Sequence, residues 1–137
     1  MSEACLSVVV PALDAAATLS ETLAALAAAR EDGLLREVWV VDGGSGDETV
    51  AVAARWAARV LNAAANRGAQ LAAGGAAATG DWLLFLHADT RLGPGWAAAA
   101  RAFMARPGLE KRAAAFRLAL DDSDPRARRV ERLANWR

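Results

Sequence analysis

The chain has 137 residues, a formal net charge of zero and a hydrophobic content of 55%. This length suits a single domain, and the neutral charge argues against a nucleic-acid binder, which needs a basic surface to neutralise phosphates. A single cysteine excludes an intrachain disulfide, and no segment has the pattern of a signal peptide or membrane span, so we expect a cytoplasmic protein.

Strand-like and helix-like segments alternate along the sequence. Short runs rich in Val and Leu predict strands, and apolar residues spaced three or four apart predict helices. The predicted strands cover residues 6–10, 37–41, 60–62, 82–86 and 113–120, and the predicted helices cover residues 15–30, 48–59, 69–79, 96–106 and the basic tail. This order predicts an α/β fold with an open, mostly parallel, doubly wound sheet flanked by helices.

A proline and a pair of glycines predict local features of these elements. Pro11 has no backbone N–H, so we expect it to stop the first strand. The pair Gly74-Gly75 lies within a predicted helix, where each glycine costs about 1 kcal/mol relative to alanine. We therefore expect the pair to allow close packing of that helix against the sheet.

The first candidate site segment follows the first predicted strand. Ligands of open α/β sheets bind just outside the carboxyl ends of the strands, and residues 11–14 include Pro11, Leu13 and Asp14 at such an end. A turn here exposes backbone groups that would frame a planar base. Asp14 would serve equally well as the N-cap of the following helix, and the sequence leaves both options open.

The second segment, Asp42-Gly43-Gly44-Ser45-Gly46-Asp47, follows the second predicted strand. Its three glycines let the backbone approach a ligand closely, and Asp42 is predicted to accept a hydrogen bond from an imide N–H or a ribose hydroxyl. The G-x-G-x-x-G register of dinucleotide-binding proteins is absent. Asp47 is predicted to be an ordinary helix cap.

The third segment, Asn66-Arg67-Gly68-Ala69-Gln70, places Arg67 beside Gly68 at the start of a predicted helix. Helix N-termini attract anions, and a guanidinium offers a fork of donors that suits phosphate. The alternative is a solvated arginine.

The fourth segment is His87-Ala88-Asp89-Thr90, directly after an apolar strand. The alternation of a strand predicts His87 and Asp89 on one side. A carboxylate such as Asp89 suits Mg²⁺ or Mn²⁺ bound jointly with a diphosphate, and His87, the only histidine, is a secondary candidate ligand. The alternative is a turn capped by Asp89 and Thr90.

In this order the four segments resemble glycosyltransferase family 2, and most of all a bacterial branch whose metal motif reads His-Ala-Asp-Thr. The resemblance covers nearly the whole chain. It implies a GT-A fold, a UDP- or GDP-sugar as donor, Mn²⁺ or Mg²⁺ as cofactor, and inverting transfer to an unknown acceptor. It also implies residue roles: Asp42 binds the nucleoside, Pro11, Leu13 and Asp14 flank the base, Asp89 ligates the metal, and Arg67 lies near the phosphates. His87 stays a secondary candidate for the metal.

The chain departs from the family pattern in three places. The family commonly has Asn-Glu where this chain has Asp14-Ala15, and His87 stands where many members have the first acid of an Asp-x-Asp motif. No acid after Asp89 lies in a segment like the family's later acidic motif, so we assign no general base. The acids in question are Glu110, Asp121, Asp122, Asp124 and Glu131.

The resemblance further implies a division of the chain. Residues 1–124 would form the nucleotide-sugar-binding domain, and residues 125–137 would begin an acceptor-side region that this chain lacks. The latter segment carries five arginines and one acid, with Val130, Leu133 and Ala134 on one helical face. Such a helix predicts self-association or peripheral contact with anionic lipid at the inner membrane face.

Two other functions compete with sugar transfer. A non-catalytic nucleotide- or sugar-binding module is the main alternative, because no general base is found. A nucleotidyltransferase would need a glycine-rich loop with Lys or Arg directly after the first strand, and residues 11–14 lack one.

Overall fold

The computed structural model describes residues 5–108 and 111–136; Glu110 and Arg137, both considered above, lie outside the described residues. In the described residues, four strands alternate with helices: β1 (Leu6–Ala12), α1 (Ala16–Glu31), β2 (Leu35–Asp42), α2 (Thr49–Arg55), β3 (Arg59–Asn62), α3 (Arg67–Ala77), β4 (Trp82–Phe85), α4 (Trp96–Met104) and α5 (Pro125–Ala134).

The chain divides into two compact units, Met1–Ala105 and Arg106–Arg137. The first unit holds the sheet with α1–α4, and the second holds α5. The predicted division after residue 124 separates a donor-binding side from an acceptor side rather than two compact units, and it stays a prediction. Within residues 5–108 and 111–136, no helix is both long and apolar enough to cross a membrane.

All four strands are parallel, in the order β3-β2-β1-β4. The chain steps outward from β1 to β3 and then returns to the other side of β1 for β4. Ala12 pairs with Asp42, and Val9 pairs with Phe85, so β1, β2 and β4 all end at one edge of the sheet. Doubly wound sheets bind ligands at such a reversal of strand order. The predicted parallel α/β sheet is confirmed.

One face of the sheet packs on α1, α2 and α4. Val8, Val10 and Val40 are fully buried there against Leu19 and Leu26 of α1. Burying each such side chain contributes about 1.5–3 kcal/mol. This core therefore fixes β1, the central strand, and with it the position of the edge where the candidate segments lie.

The opposite face packs on α3, where Gly74 permits an unusually close approach. A Cβ on Gly74 would lie 3.0 Å from Cγ2 of Val41 and closer still to Cγ1 of Val9. At Gly75 the nearest atom, Cζ of Phe85, would be 3.8 Å away, an ordinary contact. Gly74 alone therefore accounts for the close packing that the sequence predicted for the pair.

The prediction that Pro11 stops the first strand is wrong. β1 continues through Pro11 to Ala12 and pairs with β2 throughout. The carbonyl of Val9 accepts a hydrogen bond from Leu86 N–H, just after β4. Residues two apart in a strand face the same neighbour, so the backbone of Pro11 also faces the β4 side. The last paired residue of β4 lies opposite Val9, so the missing N–H costs no ladder bond.

The second predicted helix is too long at its carboxyl end. α2 ends at Arg55 because Ala57 adopts a left-handed backbone conformation with φ of 54°. The chain then turns into β3, which begins at Arg59. The predicted helices 15–30, 69–79 and 96–106 differ from the observed ones by two residues or fewer at each end, as is usual for helix boundaries. The basic tail, predicted as a helix over residues 125–137, is helical only to Ala134 in the described residues.

The predicted strand at residues 113–120 is wrong. The segment is not paired with any strand in the described residues and is largely exposed. Side chains of α5 and its end take the place of a neighbouring strand: Asn135 accepts from Leu118 N–H at 2.8 Å and donates to Leu118 C=O at 2.7 Å. Glu131 accepts from Leu120 N–H. The alternation of apolar residues therefore does not produce a paired strand here.

A buried carboxylate, Glu37, ties together the amino ends of the strands. It is 3% exposed. Its Oε1 accepts hydrogen bonds from the Ser7 hydroxyl at 2.9 Å and from Thr79 N–H at 2.6 Å, and its Oε2 lies 3.3 Å from the guanidinium of Arg59. Burial alone would raise the pKa of Glu37, but these bonds and the Arg59 charge together hold that pKa below its ordinary value.

We expect Gly74→Ala and Gly75→Ala to have opposite effects on stability. Both remove the helix cost of glycine, about 1 kcal/mol, but the Gly74 variant forces its methyl group into Val9 and Val41, which costs about 1–3 kcal/mol. Urea denaturation should therefore show Gly75→Ala as more stable than wild type and Gly74→Ala as less stable. Equal shifts for the two variants would contradict the close approach at Gly74.

The lowered pKa of Glu37 predicts loss of stability in acid. The unfolded chain binds the proton at the ordinary value of 4.5, and the folded chain binds it only at lower pH. The stabilisation is therefore complete above pH 4.5 and is lost as the pH falls through the folded pKa. Denaturant titrations across this range should show a flatter pH dependence for Glu37→Gln than for wild type; identical slopes would contradict the prediction.

Candidate functional site

The carboxyl edge of the sheet carries three loops and the start of one helix. We name the loops by the strands they follow: the β1 turn (residues 13–14, because Pro11 and Ala12 lie in β1), the β2 loop (residues 42–47, beginning with the last residue of β2) and the β4 loop (residues 87–90). The β1 turn and the β2 loop bond to each other directly. The β4 loop reaches the same edge through β4, which pairs with β1.

Asp14 locks the β1 turn to the β2 loop. Its backbone N–H donates to the hydroxyl of Ser45 at 2.9 Å, and its Oδ1 accepts from Gly46 N–H at 2.8 Å. Asp14 adopts a left-handed φ of 47°, which aspartate tolerates better than most residues. The structure therefore does not use Asp14 to cap α1, whose N-cap is Ala15.

The β2 loop instead caps α1. The hydroxyl of Thr49 accepts from Ala15 N–H at 2.8 Å, and Oδ2 of Asp47 accepts from Ala16 N–H at 3.1 Å. Oδ1 of Asp47 accepts from Thr49 N–H. The N-cap of α2 is nevertheless Glu48, so the prediction that Asp47 is an ordinary helix cap is wrong. The Thr49 hydroxyl bond is the main reason that the pKa of Asp47 lies below its ordinary value, and the backbone bonds lower it further.

Asp42 organises the β2 loop from within. It is 4% exposed, and its carboxylate accepts from Gly44 N–H at 3.1 Å and from both the N–H and the hydroxyl of Ser45. A carboxylate offers about four acceptor positions, so roughly one remains for a ligand. Sequence reasoning placed Asp42 just beyond the second strand, whereas it is the last residue of β2. It also missed how fully the loop that follows uses the Asp42 carboxylate.

Arg67 begins α3, as the third segment predicted a helix start. Asn66 is the N-cap, and its side chain accepts from Ala69 N–H at 3.1 Å. Arg67 is exposed, and within the described part of the chain its guanidinium forms no hydrogen bond or ion pair. A free guanidinium beside the unpaired amides of a helix N-terminus suits a phosphate-sized anion.

The β4 loop is a turn, which corrects the predicted alternation of His87 and Asp89. β4 ends at Phe85, and Thr90 N–H donates to His87 C=O at 3.1 Å. Two hydroxyls of α1 hold this turn: Thr22 and Thr18 donate to Ala88 C=O at 2.9 and 3.0 Å. The strand period therefore does not extend to these residues, and α1 sets the position of the turn.

The side chains of His87 and Asp89 are not buried and form no hydrogen bond or ion pair with any described residue. In residues 5–108 and 111–136, no group of three His, Cys, Asp or Glu side chains could enclose a metal. A lone carboxylate leaves most coordination positions to ligand oxygens and water. This arrangement fits Mg²⁺ or Mn²⁺ brought by a diphosphate rather than a metal held by the protein alone.

Gln70, the last residue of the third segment, joins β1 and β2, and sequence reasoning gave it no role. It is 5% exposed, and its Nε2 donates to Ala12 C=O and to Val41 C=O, each at 2.9 Å. These carbonyls lie at the ends of β1 and β2, just before the candidate loops. The third segment includes Gln70, one turn after Arg67, but nothing in the sequence indicates its bonds to β1 and β2.

Two concave regions lie elsewhere on the first unit. One, of about 540 Å³, is lined by residues of α1 and α2 such as Ser20 and Trp56. The other, of about 330 Å³, is lined by Cys5, Trp82 and Met104 among others. Neither is lined by a predicted site residue, so neither belongs to the candidate site.

Comparison with solved structures finds glucosyl-3-phosphoglycerate synthase from Mycobacterium tuberculosis in several complexes. Its complex with Mn²⁺, UDP and glucosyl-3-phosphoglycerate is 29% identical with a TM-score of 0.57, and a further structure of the enzyme is 31% identical with a TM-score of 0.58. Other complexes contain Mg²⁺ and UDP, or Mn²⁺, UDP-glucose and phosphoglyceric acid.

The match to each of the first two structures covers 64% of this chain but only 35% of theirs. The chain therefore spans about a third of the length of the synthase. No curated protein matches the sequence.

A family-wide comparison matches residues 7–132 to "Glycosyl transferase family 2". This match includes β2–β4, all of β1 except Leu6, and every candidate segment at the carboxyl edge. The chain belongs to glycosyltransferase family 2.

Proposed function

We propose that the chain forms the donor-binding side of a glycosyltransferase, where it binds a nucleoside diphosphate sugar together with Mn²⁺ or Mg²⁺. One observation carries the proposal: the segments that resemble the family motifs follow β1, β2 and β4 at one edge of a parallel sheet, where such sheets bind ligands. Membership of the family and the UDP complexes of the related synthase support it.

The nucleoside would lie against the β1 turn and the β2 loop. Leu13 is 49% exposed beside Pro11 and offers an apolar contact to the base. Asp42 would use its remaining acceptor position for an imide N–H or a ribose hydroxyl. Asp14 acts mainly by joining the two loops, because its Oδ1 accepts from Gly46 N–H.

The diphosphate would lie between the start of α3 and the β4 loop. Asp89, with His87 as a second ligand, would hold the metal, since neither side chain is bonded to another described residue. When bound, the metal supplies charge that stabilises the departing nucleoside diphosphate. Arg67 and the amides of α3 would hold phosphate oxygens on the other side.

A donor-binding module without transfer activity is the second candidate function. The acids after Asp89 favour it, because several have structural bonds: Asp124 accepts from Arg126 N–H, and Glu131 accepts from Leu120 N–H and pairs with Arg128. We assign none of them as the general base. Both candidates require donor binding, and only transfer of a sugar distinguishes them.

We further propose a cytoplasmic location with peripheral contacts through α5. Val130 and Leu133 are exposed, the latter by 78%, on a helix that also carries Arg126, Arg128 and Arg129. Apolar and basic groups together suit an anionic lipid surface or a second copy of the chain.

Calorimetric titration should detect metal-dependent binding of UDP or GDP by the wild-type chain, and UDP is the first choice because the related synthase binds it. Asp89→Asn should weaken the Mn²⁺-dependent affinity by about tenfold or more, as loss of a metal ligand does. Asp81→Asn is the matched control, because Asp81 precedes β4 at the opposite edge and is also exposed. Equal affinity of wild type and Asp89→Asn would remove the metal assignment.

Asp42→Ala should weaken nucleotide binding with and without metal, because the change removes a nucleoside contact rather than a metal ligand. The ratio of affinities measured with and without Mn²⁺ should therefore stay close to that of wild type. The comparison is made well below the unfolding temperature, since Gly44 and Ser45 also lose an acceptor. Unchanged affinity would reduce Asp42 to a residue that shapes the loop.

A further inference from the structure

We infer that Gln70 is a positioning residue of the donor site: its side-chain amide fixes the separation between the β1 turn and the β2 loop. The inference rests on the proposed function, because it concerns the two loops that would hold the nucleoside. Gln70 itself is buried and does not need to touch the nucleotide.

The geometry is that of a clip between two strands. Nε2 of Gln70 donates to Ala12 C=O and to Val41 C=O, each at 2.9 Å, so both amide hydrogens are used. Ala12 directly precedes Leu13 and Asp14, and Val41 directly precedes Asp42. One side chain therefore holds the backbone immediately before each group that would contact the base or the ribose.

The clip also links these loops to the anion-binding end of α3. Gln70 lies three residues after Arg67, about 4.5 Å along a helix axis. A shift of α3 would therefore move the phosphate-facing amides and the nucleoside-facing loops together. The bonds of Gln70 therefore set the distance between the loops that would bind the nucleoside and the amides that would bind the diphosphate.

Gly43 makes room for this clip. A Cβ on Gly43 would lie 3.2 Å from Nε2 of Gln70 and 3.2 Å from Cα of Ala65. Gly43 N–H also donates to Ala12 C=O at 2.9 Å, the same carbonyl that Gln70 contacts. A methyl group at this position would press on the amide from the loop side.

The test uses Gln70→Glu, which keeps the shape and replaces the NH₂ group with an oxygen facing two carbonyls. We expect the dissociation constant for UDP with Mn²⁺ to rise about tenfold, the lower end of what supporting groups around a binding site commonly contribute. Amide hydrogen exchange at Gly43 and Gly46 should accelerate. Lowering the pH should bring the dissociation constant of the variant closer to that of wild type, because the introduced carboxyl group regains one donor when it is protonated. Gly43→Ala should weaken binding in the same way, from the other side of the clip.

Ser7→Ala is the matched control. It removes two buried hydrogen bonds, to Glu37 and from Gly80 N–H, at the opposite end of the sheet. This variant should lose thermal stability yet keep the wild-type affinity for UDP. A purely structural role for Gln70 predicts that Gln70→Glu and Ser7→Ala behave alike in binding.

The outcomes separate the two proposals. A wild-type chain that binds neither UDP nor GDP under any metal condition refutes the proposed function and the donor-site role of Gln70 with it. A wild-type chain that binds UDP while Gln70→Glu binds it equally well refutes the inference alone. Unchanged hydrogen exchange at Gly43 and Gly46 in Gln70→Glu also refutes the inference, whether or not a ligand binds.

Discussion

The candidate site depends on how the backbone groups beyond the ends of β1 and β2 find hydrogen-bond partners. Side chains from neighbouring loops pair these groups, in bonds that are exposed or partly buried. Thr49 and Asp47 accept from the first amides of α1, and Asp14 accepts from Gly46. Each loop therefore completes the other, and the two form one rigid surface where a nucleoside would bind.

Much of the fold could be predicted because large apolar residues mark its buried parts. Val8–Val10 and Val40–Val41 are buried in adjacent parallel strands, and runs of this kind have few alternatives. The failures have local causes. Residues 113–120 have strand-like alternation but bond to side chains of Asn135 and Glu131, and no propensity predicts the left-handed Ala57 that ends α2.

The site was predictable in its parts but not in its connections. The positions of Asp42, Arg67 and Asp89 after strands and at a helix start follow from the sequence pattern. The sequence pattern does not show that the Asp42 carboxylate bonds mainly to its own loop. It also does not show that Gln70 joins two strands, because that depends on contacts between distant segments. Family membership leads us to expect donor binding. The match covers only 35% of the related synthase, so nothing about the acceptor side is assigned.

The most direct test of a donor site at the carboxyl edge is a two-dimensional amide NMR titration of the isotope-labelled chain with UDP and Mn²⁺. With Mg²⁺ in place of Mn²⁺, the proposal predicts shifts confined to the β1 turn, the β2 loop and the start of α3. With Mn²⁺, it predicts paramagnetic broadening centred on Asp89. Shifts centred on Glu37 at the opposite edge, or broadening remote from the β4 loop, would contradict it.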